Sequence, residues 1–535
     1  MLRSAHLYAA AESTQQNRGG RFLSTTDEVA PQHDASDLAR FGYRQELRRT
    51  LGVYSSFAVA FSYISPSTGI FTLYALGLGV GGPFFIWSWP IVVIGQAIVG
   101  LNFAEISSHF PVAGSVYQWT KYLSNRTYAW FTGWIYLFAG VLTVTAVDVT
   151  VPIVLIPLLN GLGIPLANDK PTQITIAAIV LISTTLLNIF GVRLVSIVNN
   201  TGVVFEILGM VVFAIILLIF YRHQSPAVVF DTTALGSGFS NQAGTFAVAM
   251  FMSLFVIYGF DTASTLAEET NNPRKEAPRA ILMAIAGAAI IGAIFLFATL
   301  LAIPGDIHKY VTDTGAGKAA PPVDIITGNL PSWAANLYLL VVAAAIYVCC
   351  LAIQTATIRL AFGMARDGKL PFGRYYNNVH PGLHTPVGTS ILVGVLAAIP
   401  LLYYSGAGII AIAATGMIYI SYLLGNLAVL RARLRGWPQE RTPFRLGGWG
   451  MIVNVLALVW GGSMLVNFLW PRSATNPPLN ALPGFPDLGP IGSIPIFEAT
   501  LGVIVVVGAI YYFAALRGSP ETPEVLPASG ASAAA

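Results

Sequence analysis

Charge is scarce in this sequence. Only 10% of its 535 residues are Asp, Glu, Lys or Arg, against roughly a quarter in soluble domains, too few to cover a water-facing surface. That all but excludes a soluble protein and makes the bilayer the main solvent. Cysteine is scarcer still. The two present, Cys349 and Cys350, are adjacent within an apolar run, so neither a disulfide framework nor a thiolate metal set is implied. Histidine supplies no metal cluster either, because Pro381 and Gly382 interrupt any helix that would align His380 with His384. Phosphate-loop and dinucleotide motifs are missing, and no nucleophile-base set stands at one depth. Enzymatic chemistry, ATP-driven pumping, a cofactor and a metal are therefore not expected. A net charge of +4 without an aromatic-basic patch likewise argues against nucleic acid as a partner.

Apolar residues make up 55% of the chain, with a mean hydropathy of +0.68. A hydrocarbon core of about 30 Å takes about 20 residues of helix, since each backbone amide must be satisfied within its own segment. That ruler predicts twelve spans. Seven lie near Val53–Leu78, Pro83–Ser108, Tyr128–Leu158, Gln173–Phe190, Val198–Tyr221, Gly244–Ala267 and Arg279–Ile303. Five more lie near Ala334–Met364, Val387–Tyr404, Ala407–Leu430, Gly450–Trp470 and Phe497–Leu516. With both ends placed in the cytoplasm, 23 of the 28 basic residues fall inside and five outside, the asymmetry that the positive-inside rule demands. The expected organisation is a cytoplasmic tail over 1–50, a core of ten helices over 51–432, the last two helices and their loops over 433–516, and a disordered cytoplasmic tail over 517–535. The last two spans suit either lipid or a second copy, so a monomer and a homodimer are both open.

Two spans carry residues that interrupt a helix. Ser62-Tyr63-Ile64-Ser65-Pro66-Ser67-Thr68-Gly69 puts a proline, a glycine and hydroxyl residues at about mid-depth of span one. Tyr258-Gly259-Phe260-Asp261-Thr262 does the same with a glycine and a carboxylate in span six. Such backbone survives in a membrane only where it lines a cavity or packs in protein. If spans one to five and six to ten are inverted repeats, the breaks fall on the first helix of each, the pattern that marks the central site of a secondary transporter. A half-helix starting near Gly69 would offer amides to a carboxylate, and carbonyls around Ile257 to Gly259 would suit an ammonium. Asp261 either caps the inner half-helix through Thr262 and Ala263, the favoured role, or contacts substrate.

At these residues the chain resembles the amino acid–polyamine–organocation family of permeases. The resemblance runs from about Leu51 to Leu516. Its carriers are Thr68-Gly69-Ile70-Phe71, Phe103-Ala104-Glu105 through Pro111-Val112-Ala113-Gly114, Asn188-Ile189-Phe190-Gly191-Val192-Arg193, Gly259 to Ser264 with Glu268-Glu269-Thr270-Asn271-Asn272-Pro273, Arg366-Asp367-Gly368-Lys369-Leu370-Pro371 and His384-Thr385-Pro386. The continuation Ile70 to Tyr74 is most similar to the amino acid/choline branch. The resemblance implies an all-α integral membrane protein of twelve helices, a five-plus-five inverted repeat with the leucine-transporter-like fold, helices one and six unwound at mid-membrane, and alternating access. It maps substrate contacts onto Ser67, Thr68, Gly69, Ile70, Tyr258, Gly259, Phe260 and Asp261, with Phe260 as a gating aromatic. The substrate it implies is an amino acid or related amine such as 4-aminobutyrate, crossing the plasma membrane. A polyamine or choline permease is the alternative, and a non-transporting nutrient receptor on the same scaffold is a reading from another class.

Ionisable residues inside the membrane are the leads to a coupling ion, because an intramembrane charge costs about 2.5–3.5 kcal/mol on insertion scales. Glu206 stands where several relatives carry a lysine, so a lysine's role in replacing sodium cannot transfer to it. It is the first candidate to carry a coupling proton. Asp148 is the second, with a hydrogen bond to a neighbouring Thr as its plainer role. Glu105, Glu268 and Glu269 fall near cytoplasmic helix ends and suit a gate. Arg359 and Arg366 suit a gate ion pair or an anchor to lipid headgroups.

Overall fold

The computed structural model describes residues 38–47, 49, 51–402, 407–470 and 496–517. Of the tails expected over 1–50 and 517–535, residues 1–37, 48, 50 and 518–535 lie outside the described residues. Among the described residues no strand occurs; one isolated bridge joins Leu51 to Thr270. Ten helical stretches are long and apolar enough to cross a membrane, and the shorter apolar helix Val387–Leu402 accompanies them. The protein is an all-α, multi-pass membrane protein.

The helices follow in order as α1 Val53–Ile64, α2 Pro66–Gly81, α3 Ser88–His109, α4 Ser115–Leu123, α5 Arg126–Asp148, α6 Val151–Gly161, α7 Lys170–Phe190, α8 Val192–Phe220, α9 Phe239–Ala249 and α10 Phe251–Val256. Then come α11 Thr262–Thr265, α12 Pro273–Leu301, α13 Ile307–Gly315, α14 Val323–Asn329, α15 Ser332–Arg366, α16 Val387–Leu402, α17 Ala407–Arg433, α18 Gly450–Leu469 and α19 Ile496–Tyr511. Each expected span overlaps one or more of these helices, with ends that differ by up to six residues, and the end expected at Tyr404 lies outside the described residues. The expected loops hold more helix than the hydropathy pattern reveals: α4, α13 and α14 are too short and too polar to register as spans. Asp306 starts α13 by accepting the His308 amide at 2.9 Å, and the helix then lies over the far end of α2, where Gly79 and Gly315 meet backbone to backbone.

Packing organises the bundle around the two interruptions. α17 lies along α5, α12 along α3 and α1, and α15 along α5 and α8, while α2 rests against α10. At that last contact a Cβ on Gly69 would sit 2.5 Å from the Val256 side chain, so glycine is required for the two half-helices to touch. α19 is peripheral and turns Val503, Val506, Val507 and Ile510 outward, as a lipid-facing helix does.

The α3–α12 contact shows how close the packing is. Trp89 donates its indole N–H to the Ala289 carbonyl at 2.9 Å, and its ring lies 2.2 Å from where a Cβ on Gly292 would stand. Gly292→Ala is expected to displace that ring and cost about 1–3 kcal/mol, the usual scale of overpacking. The melting temperature of the purified protein reads this directly. Gly287→Ala on the same helix, whose Cβ would meet Phe61 at an ordinary 3.4 Å, is the near-neutral control.

Candidate functional site

The first break is a single residue. Ser65 takes a left-handed conformation (φ 34°, ψ 84°), closing α1 through its own amide and opening α2 as N-cap, with Pro66 in the first helical position. Proline suits that position because its φ is already helical and the amide it lacks would have no partner there. α2 therefore starts at Pro66 and not near Gly69, and the Gly69 amide is spent on the Ser65 carbonyl at 3.1 Å.

The seat at the start of α2 holds the chain's own carboxylate. Glu206, from α8, accepts on Oε1 the hydroxyls of Ser65 at 2.7 Å and Ser67 at 2.6 Å, and the Ser67 amide at 3.2 Å. The Thr68 amide donates to the Ser65 hydroxyl at 3.4 Å. Glu206, Ser67, Thr68 and Ile70 are all buried. The positive end of a helix dipole and three donors make this an anion seat.

The second break spans Ile257 to Asp261 between α10 and α11. Gly259 has φ +83°, and a Cβ there would fall 1.8 Å from the Tyr63 ring, so only glycine fits. Its amide donates to the Tyr422 hydroxyl at 2.9 Å. Asp261 does not cap α11, whose first amides receive no side-chain bond. Its carboxylate instead accepts hydroxyls from Ser115 of α4 at 2.6 Å, Tyr136 of α5 at 2.5 Å and Tyr422 of α17. The capping expectation fails because α11 is four residues long and Asp261 is itself helical in φ and ψ, a geometry unlike the extended one of an N-cap. Tyr258 reaches Thr143 at 3.4 Å, and the buried Phe260 ring packs on Phe103 and Tyr422.

The two breaks thus lie side by side, with Tyr63 and Tyr258 in edge contact at 6.1 Å between ring centres. Asp148 stands apart from Asp261, one turn and more beyond Thr143 along α5, and neither of its oxygens meets an N–H or O–H donor. The bond to a neighbouring Thr does not form: Thr145 and Thr150 spend their hydroxyls on backbone carbonyls and on Thr72.

A charged end closes the bundle beneath the second break. Arg366 grips Glu268 with two bonds, at 2.8 and 3.0 Å, and the Ala113 amide adds a third at 3.1 Å. Arg359 meets Glu269 at 2.8 Å with both side chains buried, which overturns the headgroup-anchor reading of Arg359. Glu105 pairs with Arg433 and takes the Leu446 amide at 2.8 Å, so it ties α3 to α17 and stands apart from the Glu269 pair. Asp367 collects Lys121 at 2.8 Å, Tyr43 at 2.7 Å and Tyr117 at 2.8 Å. Burial, and next the Asp367 charge, push the Tyr43 phenol well above its usual range, so it stays a donor. Sequence reasoning missed Ser115, Tyr136 and Tyr422. Only Ser115 carries a signal, by following the Pro111 to Gly114 segment.

The profile of the family described as amino acid permease matches residues 51–485. The chain belongs to the amino acid permease family. It is 28% identical over 457 residues to amino-acid permease BAT1 of Arabidopsis thaliana, covering 81% of this chain and 88% of that relative. The BAT1 homolog of Oryza sativa subsp. japonica is 29% identical over 470 residues, covering 83% and 90%. The branched-chain amino acid permease BcaP of Bacillus subtilis is 26% identical over 378 residues, covering 68% and 76%. This permease is therefore a secondary transporter of small amino-acid-like solutes and not an enzyme.

The buried pair at the charged end gives a sharp prediction. Arg359→Ala leaves Glu269 buried without its cation and is expected to cost about 3–5 kcal/mol, seen as lost folded protein or a lower melting temperature. Adding Glu269→Ala should restore most of that loss, because no unpaired charge remains.

Proposed function

We propose that the permease carries amino acids, or related amines such as 4-aminobutyrate, across the plasma membrane by alternating access, driven by protons or by exchange. The observation that carries this reading is the anion seat at the start of α2, occupied by Glu206. Its donors, the hydroxyls of Ser65 and Ser67 and the Ser67 amide, are those a substrate carboxylate would use. Two carboxylates cannot share such a seat while both are charged. A proton on Glu206 relieves the repulsion and releases donors, so substrate entry and proton entry become linked. In this reading Ser67, Thr68, Gly69 and Ile70 face the carboxylate, and Tyr258, Gly259 and Phe260 face the amine. Asp261 supports the second break from below through its three hydroxyls.

Twelve crossings in two inverted repeats of five, plus two, suit the helices best. The stretch Val53–His109 has 57 residues, and at 1.5 Å per residue it would run about 85 Å, far beyond one bilayer, so it counts as two crossings. Val387–Leu402 supplies another. The charged end, with Arg359, Arg366 and Glu105, is assigned to the cytoplasm with both termini, and the Glu269–Arg359 pair to the inner gate. Supporting the amino acid reading over polyamine or choline, Asp261 is already engaged by three hydroxyls and is a poor free anion for a cation.

The linkage has a definite sign. Binding of a carboxylate substrate should tighten as pH falls, because protonation of Glu206 empties the seat of charge. Glu206→Gln is expected to bind substrate with an affinity that varies less with pH, and to weaken accumulation driven by a pH gradient. Binding titrations across pH check this, and an unchanged pH profile in the variant would reject Glu206 as the coupling group.

Ligand class is tested by thermal stabilisation against amino acids, 4-aminobutyrate, choline, putrescine and spermidine. A bound ligand at a hundred times its dissociation constant is expected to add about 2.7 kcal/mol. Stabilisation by an amino acid alone supports the carboxylate seat. Stabilisation by a polyamine or choline alone would make Asp261 the principal ligand. Tracer accumulation in vesicles separates a transporter from a receptor that binds without turnover.

A further inference from the structure

Asp148 is the last residue of α5, before a joint of two residues, Val149 and Thr150, that leads into α6. Its side chain is fully buried, neither oxygen meets an N–H or O–H donor within the protein, and the weakly donating Cys350 thiol is the polar group beside it. Every other acid discussed above is served: Glu206 and Asp261 by three donors each, Glu105, Glu268 and Glu269 by arginines. Among the described residues, the titratable groups that face Asp148 are Cys350 on α15 and, next to it, Cys349, with Glu206 beyond Cys349 on α8. No Lys, Arg or His acts on it. An ionised carboxylate so placed would carry its desolvation cost with only a weak thiol donor to offset it. A neutral carboxyl has no charge to desolvate and a single hydrogen to place, for which the Cys350 sulfur is a weak acceptor.

The joint is tied to the first break. Thr150 meets Thr72 of α2 at 2.9 Å, and the Cys349 thiol reaches the Tyr63 carbonyl at 3.5 Å. Asp148 thus lies between α5 and α15, and the joint that follows it touches α2, on the side of the breaks opposite the charged end. Any opening on that side that parts α2 from the joint must break the Thr72–Thr150 bond and let water reach the carboxyl.

We propose that Asp148 is a second proton-binding site of the transport cycle, distinct from Glu206, holding its proton while α2 is closed on the α5–α6 joint and releasing it when they part. The inference rests on the transport reading and stands whether or not Glu206 carries a coupling proton.

The test needs no substrate, since its probe is the proton. Infrared spectra of the purified full-length protein at neutral pH should contain a carbonyl-stretch component from a protonated carboxylic acid. That component is expected to vanish in Asp148→Asn and to persist in Glu206→Gln, and the S–H stretch of Cys350 should shift in Asp148→Asn alone. Thr72→Val, which unties α2 from the joint, should weaken the component at the same pH. A component that survives in Asp148→Asn overturns the proposal, and if it is lost in Glu206→Gln instead, only the Glu206 reading stands. An unchanged component in Thr72→Val overturns the link to α2. Should Asp148→Asn not fold, Cys350→Ala gives the same answer, because removing the thiol must shift the Asp148 component and the absence of a shift refutes the assignment.

Discussion

A broken helix inside a bilayer has to be mended by protein, and that requirement shapes the centre of this permease. Freed backbone groups cannot turn to water, and leaving them bare costs several kcal/mol each. At the first break the remedy is local at one end, where Ser65 caps both half-helices and Pro66 brings no amide to satisfy. It is long-range at the other, where Glu206 arrives from α8 to take the Ser67 amide. At the second break Tyr422 from α17 takes the Gly259 amide and passes its own hydrogen to Asp261, which Ser115 and Tyr136 hold from α4 and α5. Two irregular segments thus recruit four other helices, and the order of packing around them follows from which helices carry the mending groups.

The segment from Asp261 to Glu269 connects this centre to the charged end within nine residues. Arg359 and Arg366 are seven apart on α15, close to one face of the helix, so both can reach the consecutive acids Glu268 and Glu269. The two pairs are unequal. Glu268 has three bonds, from the two Nη nitrogens of Arg366 and the Ala113 amide. Glu269 has one bond, while its second oxygen and the Nη1 of Arg359 have no partner. A buried pair left half satisfied is near break-even against its desolvation, so it holds the charged end less firmly than the Glu268 pair does. Leu51 exchanges backbone bonds on either side of Thr270, with Glu269 and Asn271, at 2.9 Å each, so movement at Glu269 pulls on the entry to α1 as well as on α11.

Span positions were legible because the length of an apolar run is a one-dimensional property that the bilayer reads directly. The two breaks were legible for the same reason: Pro66, Gly69 and Gly259 are conspicuous within apolar sequence. What the pattern could not supply was partnership. Gly69 resembles a residue placed for dihedral freedom, yet it is helical and serves the approach of Val256, a contact that exists only once α2 and α10 are packed. Asp261 resembles a cap, yet three hydroxyls from helices 125 to 161 residues away in sequence claim it. Tyr136 and Tyr422 sit in spans full of aromatics, and nothing in their neighbours sets them apart. The short helices α4, α13 and α14 were hidden because a hydropathy ruler made for spans does not register a seven- or nine-residue segment.

Charge sign at position 206 decides which half of the first break is served. A lysine there would be drawn to the carbonyl oxygens that end α1, the negative pole of that half-helix, whereas a glutamate is drawn to the hydroxyls and amide that begin α2, the positive pole. The two choices leave opposite remainders for the substrate. With a lysine, the α2 amides stay open to a carboxylate and the coupling group never competes for them. With Glu206 as the proposed coupling group, it and a substrate carboxylate would want the same donors, and a proton would be part of making room for the substrate. A short Ser-Pro-Ser step makes this competition tight, since Ser65 and Ser67 flank Pro66 and both point their hydroxyls at the single oxygen Oε1. Under that proposal, linkage between proton and substrate follows from shared hydrogen bonds, without any distant relay.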